Sequence, residues 1–330
     1  MTAGVRIAFA LGLGAVIALI ATQGAGAIAS LLAGAGWKLM LLVPLQILPL
    51  SLDVLGWRAV LLARVRFSAL FVIACIRQAI NRLLPVANVG GEIVGIRLLL
   101  QQGADGTVAA ASVIVELMLS LFAQYCFVAL GVAVVFPRIN SSRLMQGMII
   151  GLFALLAMLA LMLILLKHGK VFRRIEAMAV RVFGRWLDGR QGFHQGAKLD
   201  AVIHQITADG ARLLRALAWQ FSGLIVGCSE TWLALRWLGH PVGFSDAIVL
   251  ESLTQAAKSL LFMVPSALGV QEAGLIGAGL LLGLDADVAL ALSLAKRMRE
   301  ILFGVPSLLA WQWIEGRRLF LQFRGRSGRP

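Results

Sequence analysis

The chain has 330 residues, of which 60% are hydrophobic and 14% are charged, and its mean hydropathy is +0.89. This composition excludes a soluble globular protein and a disordered chain, because the apolar surface would exceed what a water-facing shell can cover. The net charge of +14 would suggest nucleic-acid binding in a soluble protein, but basic residues also accumulate on cytoplasmic loops of membrane proteins. We therefore predict an all-α, polytopic integral membrane protein that binds no nucleic acid.

Several apolar runs reach the roughly twenty residues that a membrane helix needs. The run nearest the N-terminus is either a retained first helix or a cleaved signal peptide, and its length favours the retained helix. Segment 85–101 is also apolar, although it carries Glu92 and Arg97. The predicted spans are 5–22, 37–57, 67–84, 107–136, 147–167, 213–238, 247–264, 266–283 and 287–313.

Basic residues predict which loops face the cytoplasm. Segment 167–198 holds eight basic residues against two acids. The loops on the other side, in contrast, contribute only Arg138 and Arg143. Both termini are therefore predicted to be cytoplasmic. Further basic clusters on that side are Arg58, Arg64 and Arg66 after the second span, and Arg317, Arg318, Arg324, Arg326 and Arg329 at the end of the chain.

The basic segment 168–198 contains a stretch, 169–190, with apolar residues at helical spacing. Two interpretations stay open for it. An amphipathic helix would lie on the anionic cytoplasmic leaflet, whereas an ordinary basic loop would only keep the topology. The apolar positions are Val171, Ile175, Met178, Val182 and Trp186.

The chain matches itself at an offset of 180 residues, with eight identities in a window of 25 residues and no gap. The matches through Leu, Ala and Val carry little weight in an apolar chain. A Pro, an acid, a Gly and an Asp at equal spacing are much harder to obtain by chance. The pairs are Pro85 with Pro265, Ala87 with Ala267, Glu92 with Glu272, Leu100 with Leu280, Gly103 with Gly283, Asp105 with Asp285, Val108 with Val288 and Ala109 with Ala289.

This self-match predicts one membrane domain built from two repeats, at about 37–136 and 217–316. The charge pattern makes one copy open from the cytoplasm and the other from outside, so the repeat is inverted, as in many transporters. The breaks at 85–91 and 265–271 are candidates for the tips of two re-entrant helical hairpins. Full crossings would give the same loop charges, so hairpins are favoured but not required.

Ionisable and polar residues follow the repeat into membrane depth. Such residues usually mark a transport pathway, because an unpaired charge there is costly. The alternative is a set of structural ion pairs that lock the helices together. Glu116 and Lys296 occupy equivalent positions with opposite charge, so they are predicted to pair. The candidate pathway residues are Arg77, Asn81, Arg82, Pro85, Gly91, Glu92, Arg97, Glu116, Glu251, Gln255, Lys258, Pro265, Gly269, Glu272, Lys296, Arg297, Arg299 and Glu300, with Asp53, Arg58 and Glu230 as weaker candidates near predicted helix ends.

No pattern indicates a cofactor, a metal or a catalytic residue. Each of the three cysteines, Cys75, Cys126 and Cys228, sits in a separate apolar run, and the four histidines show no ligand spacing. No serine-hydrolase elbow or Walker-type loop is present. We therefore expect the protein not to be an enzyme.

Four segments, 77–97, 111–121, 251–274 and 292–311, resemble the flippase-like family, also called the lysylphosphatidylglycerol synthase transmembrane-region family. Within that family, the chain looks most like the hopanoid-biosynthesis-associated branch, HpnL. The resemblance implies a multi-pass protein of the bacterial inner membrane that handles lipids. Lipid-aminoacylating members carry a further soluble domain. Only about fifteen residues follow the last predicted span here, so we expect no such activity.

The predicted function is translocation or transport of a lipid such as a hopanoid or a phospholipid. Arg77, Arg82, Lys258 and Arg297 would offer donors to its headgroup, because arginine suits contact with phosphate. The acids Glu92 and Glu272 would either carry protons or balance these cations. The alternatives are a secondary transporter of a small soluble solute and a scaffold for lipid-biosynthesis enzymes.

Overall fold

A computed structural model describes residues 32–84, 90–138, 196–260 and 269–326, together with Ser30 and scattered positions between 146 and 160. Side chains are described as far as Ile314. The described residues form helices and connecting turns and include no β-strand. The helices are α1 (Ile47–Val60), α2 (Phe67–Leu83), α3 (Gly90–Gln101), α4 (Gly106–Val135), α5 (Gly196–Ala208), α6 (Gly210–Trp237), α7 (Phe244–Leu260), α8 (Val270–Leu281) and α9 (Ala286–Arg326).

Two helical runs of the described residues are long and apolar enough to cross a membrane. Leu32–Val60 includes the 3-10 turn Gly36–Leu41, the short helix Leu42–Leu45 and α1. Gly106–Arg138 is α4 with the 3-10 turn Phe136–Arg138 at its end. The other predicted spans within the described residues are helical as well, but they are shorter or more charged. Helix α9 extends to Arg326, beyond the predicted end at residue 313.

The junction between a short helix and a long helix is built the same way in both halves of the chain. Gly103 has φ of 84° and Gly283 has φ of 76°, a left-handed conformation that favours glycine. Each ends its helix in a Schellman motif. The amide of Ala104 bonds the carbonyl of Leu99 at 3.2 Å, and that of Leu284 bonds Gly279 at 2.9 Å. The repeated glycine thus marks the same helix stop twice.

The repeated aspartate opens the long helix that follows. Asp105 is the N-cap of α4, and its carboxylate accepts hydrogen bonds from the amides of Thr107 at 2.8 Å and Val108 at 3.3 Å. These backbone donors hold the pKa of Asp105 below its usual range. The Asp105 carbonyl accepts from the Ala109 amide at 2.8 Å, and that of Asp285 accepts from Ala289 at 3.1 Å.

The two halves of the described bundle pack against each other through reciprocal pairs of helices. Helix α2 of the N-terminal half packs along α9, which is the long helix of the C-terminal half. Reciprocally, α7 packs along α4. Helix α6 lies against α1, α4 and α7 and also contacts α9. The charged side chains that follow the repeat lie on the packed helices, and Arg82 of α2 reaches Glu300 of α9 across the boundary between the halves. The inverted orientation of the halves and the two hairpins stay predictions.

Three predicted features lie outside the described residues. They are the first helix at 5–22, most of the two Pro/Gly-rich breaks (85–89 and 265–268), and the basic stretch 169–190. Their structures therefore stay predictions.

Candidate functional site

Arg77 is the centre of a buried ionic cluster that joins three helices. It lies on α2 and is 7% exposed. Its guanidinium donates hydrogen bonds to Glu92, in the first turn of α3, and to Glu116 of α4 at 2.7 Å. The guanidinium also lies 4.4 Å from the ring centre of Trp57 on α1, which is a cation–π contact. One arginine thus serves two carboxylates.

Small residues bring α3 close enough for this contact. A Cβ at Gly91 would lie 2.5 Å from the Arg77 carbonyl oxygen, and one at Gly95 would lie 2.6 Å from Arg77 Cδ. Real Cβ atoms do not approach so closely, so glycine is needed at both positions. Asn81 holds the start of α3, because its Oδ1 accepts from the Gly91 amide at 2.9 Å and its Nδ2 donates to Glu92 at 3.3 Å.

A cavity of about 150 Å³ lies beside this cluster. Asp53, Gln78 and Glu116 line it, together with Arg77 and Trp57. Arg77 Nε and Gln78 Oε1 are buried and have no hydrogen-bond partner among the described residues. A polar cavity of this size has room for water molecules that would satisfy such groups. Asp53, Glu92 and Glu116 share a single guanidinium here, so acidic groups outnumber basic groups in the cluster.

The second cluster lies between α6, α7, α8 and α9. Glu251 of α7 accepts hydrogen bonds from Lys296 of α9 and from Thr231 of α6. Glu272, in the first turn of α8, is completely buried. Its carboxylate accepts from the Gly269 amide at 2.8 Å and from Ser293 Oγ at 3.0 Å. Glu272 thus closes the N-terminus of its own helix.

Further arginines extend the second cluster toward both ends of the chain. Arg299 Nε donates to Glu230 of α6 at 3.0 Å, and its NH1 donates to Gln46 Oε1 at 2.8 Å. Arg297 Nε lies 3.4 Å from Glu272, and its NH1 donates to Glu300 at 3.2 Å. Arg297 thus bridges two acids of the C-terminal half.

One ion pair ties the two halves together inside the bundle. Arg82, on α2, donates to Glu300, on α9. The Arg82 side chain is 41% exposed while the Glu300 side chain is 4% exposed. The Arg82 side chain therefore remains partly accessible. Because Glu300 also receives Arg297, it holds one cation from each half.

Lys258 is a half-buried cation on α7 with no hydrogen-bond or ion-pair partner among the described residues. Its neighbours on the same helix, in contrast, form hydrogen bonds. Ser259 Oγ donates to the Gln255 carbonyl at 2.9 Å and accepts from Gln124 Nε2 of α4 at 2.7 Å. Among the described residues, the second cluster brings together five basic and four acidic side chains. The cations are Arg82, Lys258, Lys296, Arg297 and Arg299, and the acids are Glu230, Glu251, Glu272 and Glu300.

The structure differs from the sequence predictions at several positions. Glu116 and Lys296 do not pair with each other, because Glu116 contacts Arg77 and Lys296 contacts Glu251. Arg97 lies exposed on α3. Pro85 and Pro265 lie outside the described residues. The remaining candidates fall in or beside one of the two clusters.

The sequence predicts Asp53 and Glu230 as weaker candidates, because both lie near predicted helix ends. Helix α1 runs on to Val60, so Asp53 sits near its middle and faces the cavity. Glu230 lies well inside α6 and contacts Arg299. Arg58 is exposed. The signal that was available for Asp53 and Glu230 is an acid inside an apolar run. Among the described residues, no group of three His, Cys, Asp or Glu side chains is placed to hold a metal ion.

A family model described as the lysylphosphatidylglycerol synthase TM region matches residues 5–307. The match covers nearly all of the chain and includes both ionic clusters. Comparison with curated proteins and with solved structures gave no match.

Proposed function

The chain belongs to the lysylphosphatidylglycerol synthase transmembrane-region family, and on that premise we propose that it translocates or transports a membrane lipid. Membership makes it a membrane protein involved in lipid handling. We propose further that it acts in the bacterial inner membrane with both termini in the cytoplasm, and that it is not an enzyme. The cargo would be a lipid such as a hopanoid, as the branch resemblance suggests, or a phospholipid.

The observation that supports this proposal most directly is that basic side chains outnumber acids in the second cluster. Lys258 makes no direct ion pair among the described residues, and the Arg82 side chain is partly accessible. An anionic headgroup would supply the missing negative charge, and arginine binds phosphate with several donors at once. A charge at membrane depth is costly unless it is paired or hydrated. The headgroup would therefore pass along these cations while its tails stay in the bilayer.

The inverted repeat predicted from the sequence suggests a geometry for this path. In the proposal, two inverted re-entrant hairpins frame the polar groove, and their tips are the breaks near residues 85–91 and 265–271. The reciprocal packing of α2 on α9 and of α7 on α4 supports a pseudo-two-fold arrangement of the halves. Glu92 and Glu272 either carry protons during transport or balance the cations.

A second candidate is the transport of a small soluble solute. The cavity beside Arg77 supports it, because its 150 Å³ is below the 300 to 1,000 Å³ that is usual for drug-sized ligands. A lipid path requires a side opening between helices, whereas a solute path requires a closed central cavity. A scaffold for lipid-biosynthesis enzymes is the third candidate.

Reconstitution of the purified protein into vesicles tests the proposal. Fluorescent phospholipid and hopanoid analogues would be placed in one leaflet, and their appearance in the other would be followed by a membrane-impermeant quencher. We expect the protein to accelerate the exchange, and Lys258→Gln and Arg82→Gln to slow it. Arg82→Gln leaves Glu300 paired with Arg297, so its fold should hold.

The matched control is Arg138→Gln, which removes a half-exposed arginine paired with Asp246 at the end of α4. It should leave the exchange rate unchanged. Equal rates in protein-containing and empty vesicles for every lipid tested, with the protein correctly folded, would contradict lipid translocation. Uptake of soluble solutes into the same vesicles would favour the second candidate.

A further inference from the structure

A groove separate from both ionic clusters lies between α2, α3 and α9. Its volume is about 370 Å³, within the range of ligand pockets. One end is polar, with Arg66, Ser68, Gln101 and Gln102, and the walls beyond it are apolar. The groove thus has the two-part character of a lipid, with a polar end and an apolar body.

The polar end offers hydrogen-bond donors to an anion. Gln102 is exposed and lines the groove at this end. Its side-chain amide can donate to an anion there, and a hydrogen bond to a charged group is stronger than one between neutral groups. The exposed guanidinium of Arg66 and the hydroxyl of Ser68 lie at the same end. None of the described residues that line the groove is acidic, so its charge suits a phosphate.

The walls suit an acyl chain. Val72 and Ile76 follow each other by one turn on α2, and Ile314 faces them from α9. Val72 is 40% exposed and Ile76 is completely buried, so the groove leads from the outer surface into the bundle. A free phosphate or a soluble anion would leave these walls uncovered. Burial of apolar surface therefore selects an anion that carries a hydrocarbon chain.

We propose that this groove binds one anionic phospholipid from the leaflet around residues 58–66. The phosphate contacts Arg66, Ser68 and Gln102, and one acyl chain lies along Ala69 and Val72. This site is distinct from the path along Arg82 and Lys258. It requires no transport, because the lipid binds at the edge of the bundle and stays there.

The test measures lipid binding to the purified full-length protein in detergent by native mass spectrometry. The probes are phosphatidylglycerol and phosphatidylcholine with identical acyl chains. We expect phosphatidylglycerol to bind more tightly. Arg66→Gln should weaken its binding about fivefold, which corresponds to the roughly 1 kcal/mol of one surface arginine near anionic lipid, and should leave phosphatidylcholine binding unchanged.

Two further variants test the position of the lipid. Gln102→Glu places a carboxylate at the polar end and should weaken phosphatidylglycerol binding alone. Ala69→Trp fills the groove and should weaken the binding of both lipids. If Ala69→Trp lowers the melting temperature, Val72→Trp at the exposed mouth replaces it. The matched control is Arg64→Gln, because Arg64 is also exposed but does not line the groove.

Three outcomes would overturn the proposal. They are equal loss of phosphatidylglycerol binding in Arg64→Gln and Arg66→Gln, unchanged binding in the groove-filling variant, and equal affinity for the two lipids. Lys258→Gln distinguishes this site from the proposed function. It should slow exchange in vesicles while phosphatidylglycerol binding to the groove stays at the level of the unmodified protein.

Discussion

Gln124 donates a hydrogen bond of 2.7 Å to Ser259, and the residues at the repeat-equivalent positions are neighbours as well. Those equivalents are Gly304 and Ala79. A Cβ built on Gly304 would lie 3.5 Å from the Cβ of Ala79. The contact between α4 and α7 and the contact between α2 and α9 therefore meet at matching residues. A two-fold relation between the halves requires this correspondence. The pair is polar at one contact, Gln124 with Ser259, and small and apolar at the other, Gly304 with Ala79.

The close approach of α2 and α3 predicts that Gly91→Ala is destabilising. The added methyl group would meet the Arg77 carbonyl and the Asn81 side chain. A backbone carbonyl cannot swing away, so α3 must shift, at a cost of about 1 to 3 kcal/mol. Thermal unfolding of the purified protein measures the loss.

The control for Gly91→Ala is Gly277→Ala in α8, where a Cβ would meet nothing within 4 Å. That change should leave the protein as stable or slightly more stable, because alanine favours helix over glycine. A Gly91→Ala protein as stable as the control would contradict the described spacing of the two helices.

The shared arginine predicts non-additive effects of its two acids. In Glu92→Gln, Arg77 keeps Glu116, so the protein should fold and reach normal abundance but lose lipid exchange. Glu116→Gln should likewise fold. The double variant leaves Arg77 buried without either carboxylate, and breaking a buried pair costs about 3 to 5 kcal/mol. Its abundance and melting temperature should fall by more than the two single effects together.

Adding Arg77→Gln to the double variant removes the unpaired charge and should restore part of the stability. A fully active Glu92→Gln protein would instead assign the acid a purely structural role. The same comparison applies to Glu272→Gln, which leaves Arg297 with Glu300.

Loss of a buried arginine and loss of a partly exposed arginine are predicted to lower stability by different amounts. Arg299→Gln leaves Glu230 buried without its cation, so stability should fall by about 3 to 5 kcal/mol. Arg138→Gln breaks a partly exposed pair with Asp246, which is worth about 0 to 1 kcal/mol. Denaturation of both variants in the same detergent gives the comparison. Equal losses would contradict the burial described for Arg299.

The cap of α4 predicts a dependence on pH. The pKa of Asp105 is lowered by the Thr107 and Val108 amides, so its stabilising contribution is present above the unfolded pKa of about 3.9. That contribution disappears as the pH falls through the lower folded value. Asp105→Ala should therefore be less stable than the unmodified protein at neutral pH and more nearly equal to it in acid. Asp105→Asn, which keeps an acceptor oxygen, is the control.

The predicted hairpin tips are tested by the reactivity of single cysteines at Ala87 and Ser266, both outside the described residues. The natural residues Cys75, Cys126 and Cys228 are first replaced by alanine. A membrane-impermeant thiol reagent is applied to intact and to opened cells. We expect the two positions to react from opposite sides, or neither to react. Labelling of both from the periplasm would refute the inverted hairpins.

The helices could be predicted from the sequence because their signals are local. The apolar run 107–136 predicts α4 to within one residue at each end, and the run 37–57 falls inside the helical run Leu32–Val60, of which α1 is the last part. The Gly103 and Asp105 pattern marks a helix stop and start. The choice of ionic partners could not be predicted in the same way. Glu116 and Lys296 occupy equivalent positions in the two repeats, and this equivalence predicts that they pair. Tertiary packing decides which helix face meets which neighbour. Glu116 and Lys296 each pair with a residue of their own half.

The polar partners of the clusters could not be found either, because they come from distant parts of the chain. Gln46 reaches Arg299 across 253 positions, and Thr231 and Ser293 look like ordinary small residues in apolar helices. Asp53 carried a usable signal, since an acid within an apolar run is costly unless it has a function or a partner. Its rank was lowered only by an error of a few residues in the end of α1.

The opposite charge of the two clusters makes the interior of the protein a dipole. With all groups ionised, the cluster around Arg77 has more acids than bases, and the cluster around Glu300 has more bases than acids. A membrane voltage acts on each elementary charge with about 2.3 kcal/mol per 100 mV across the full bilayer. The field therefore pulls the two clusters in opposite directions, whichever way the chain is inserted. In an energised membrane, this force acts on the helix contacts that join the halves, which include α1 with α6, α2 with α9 and α4 with α7.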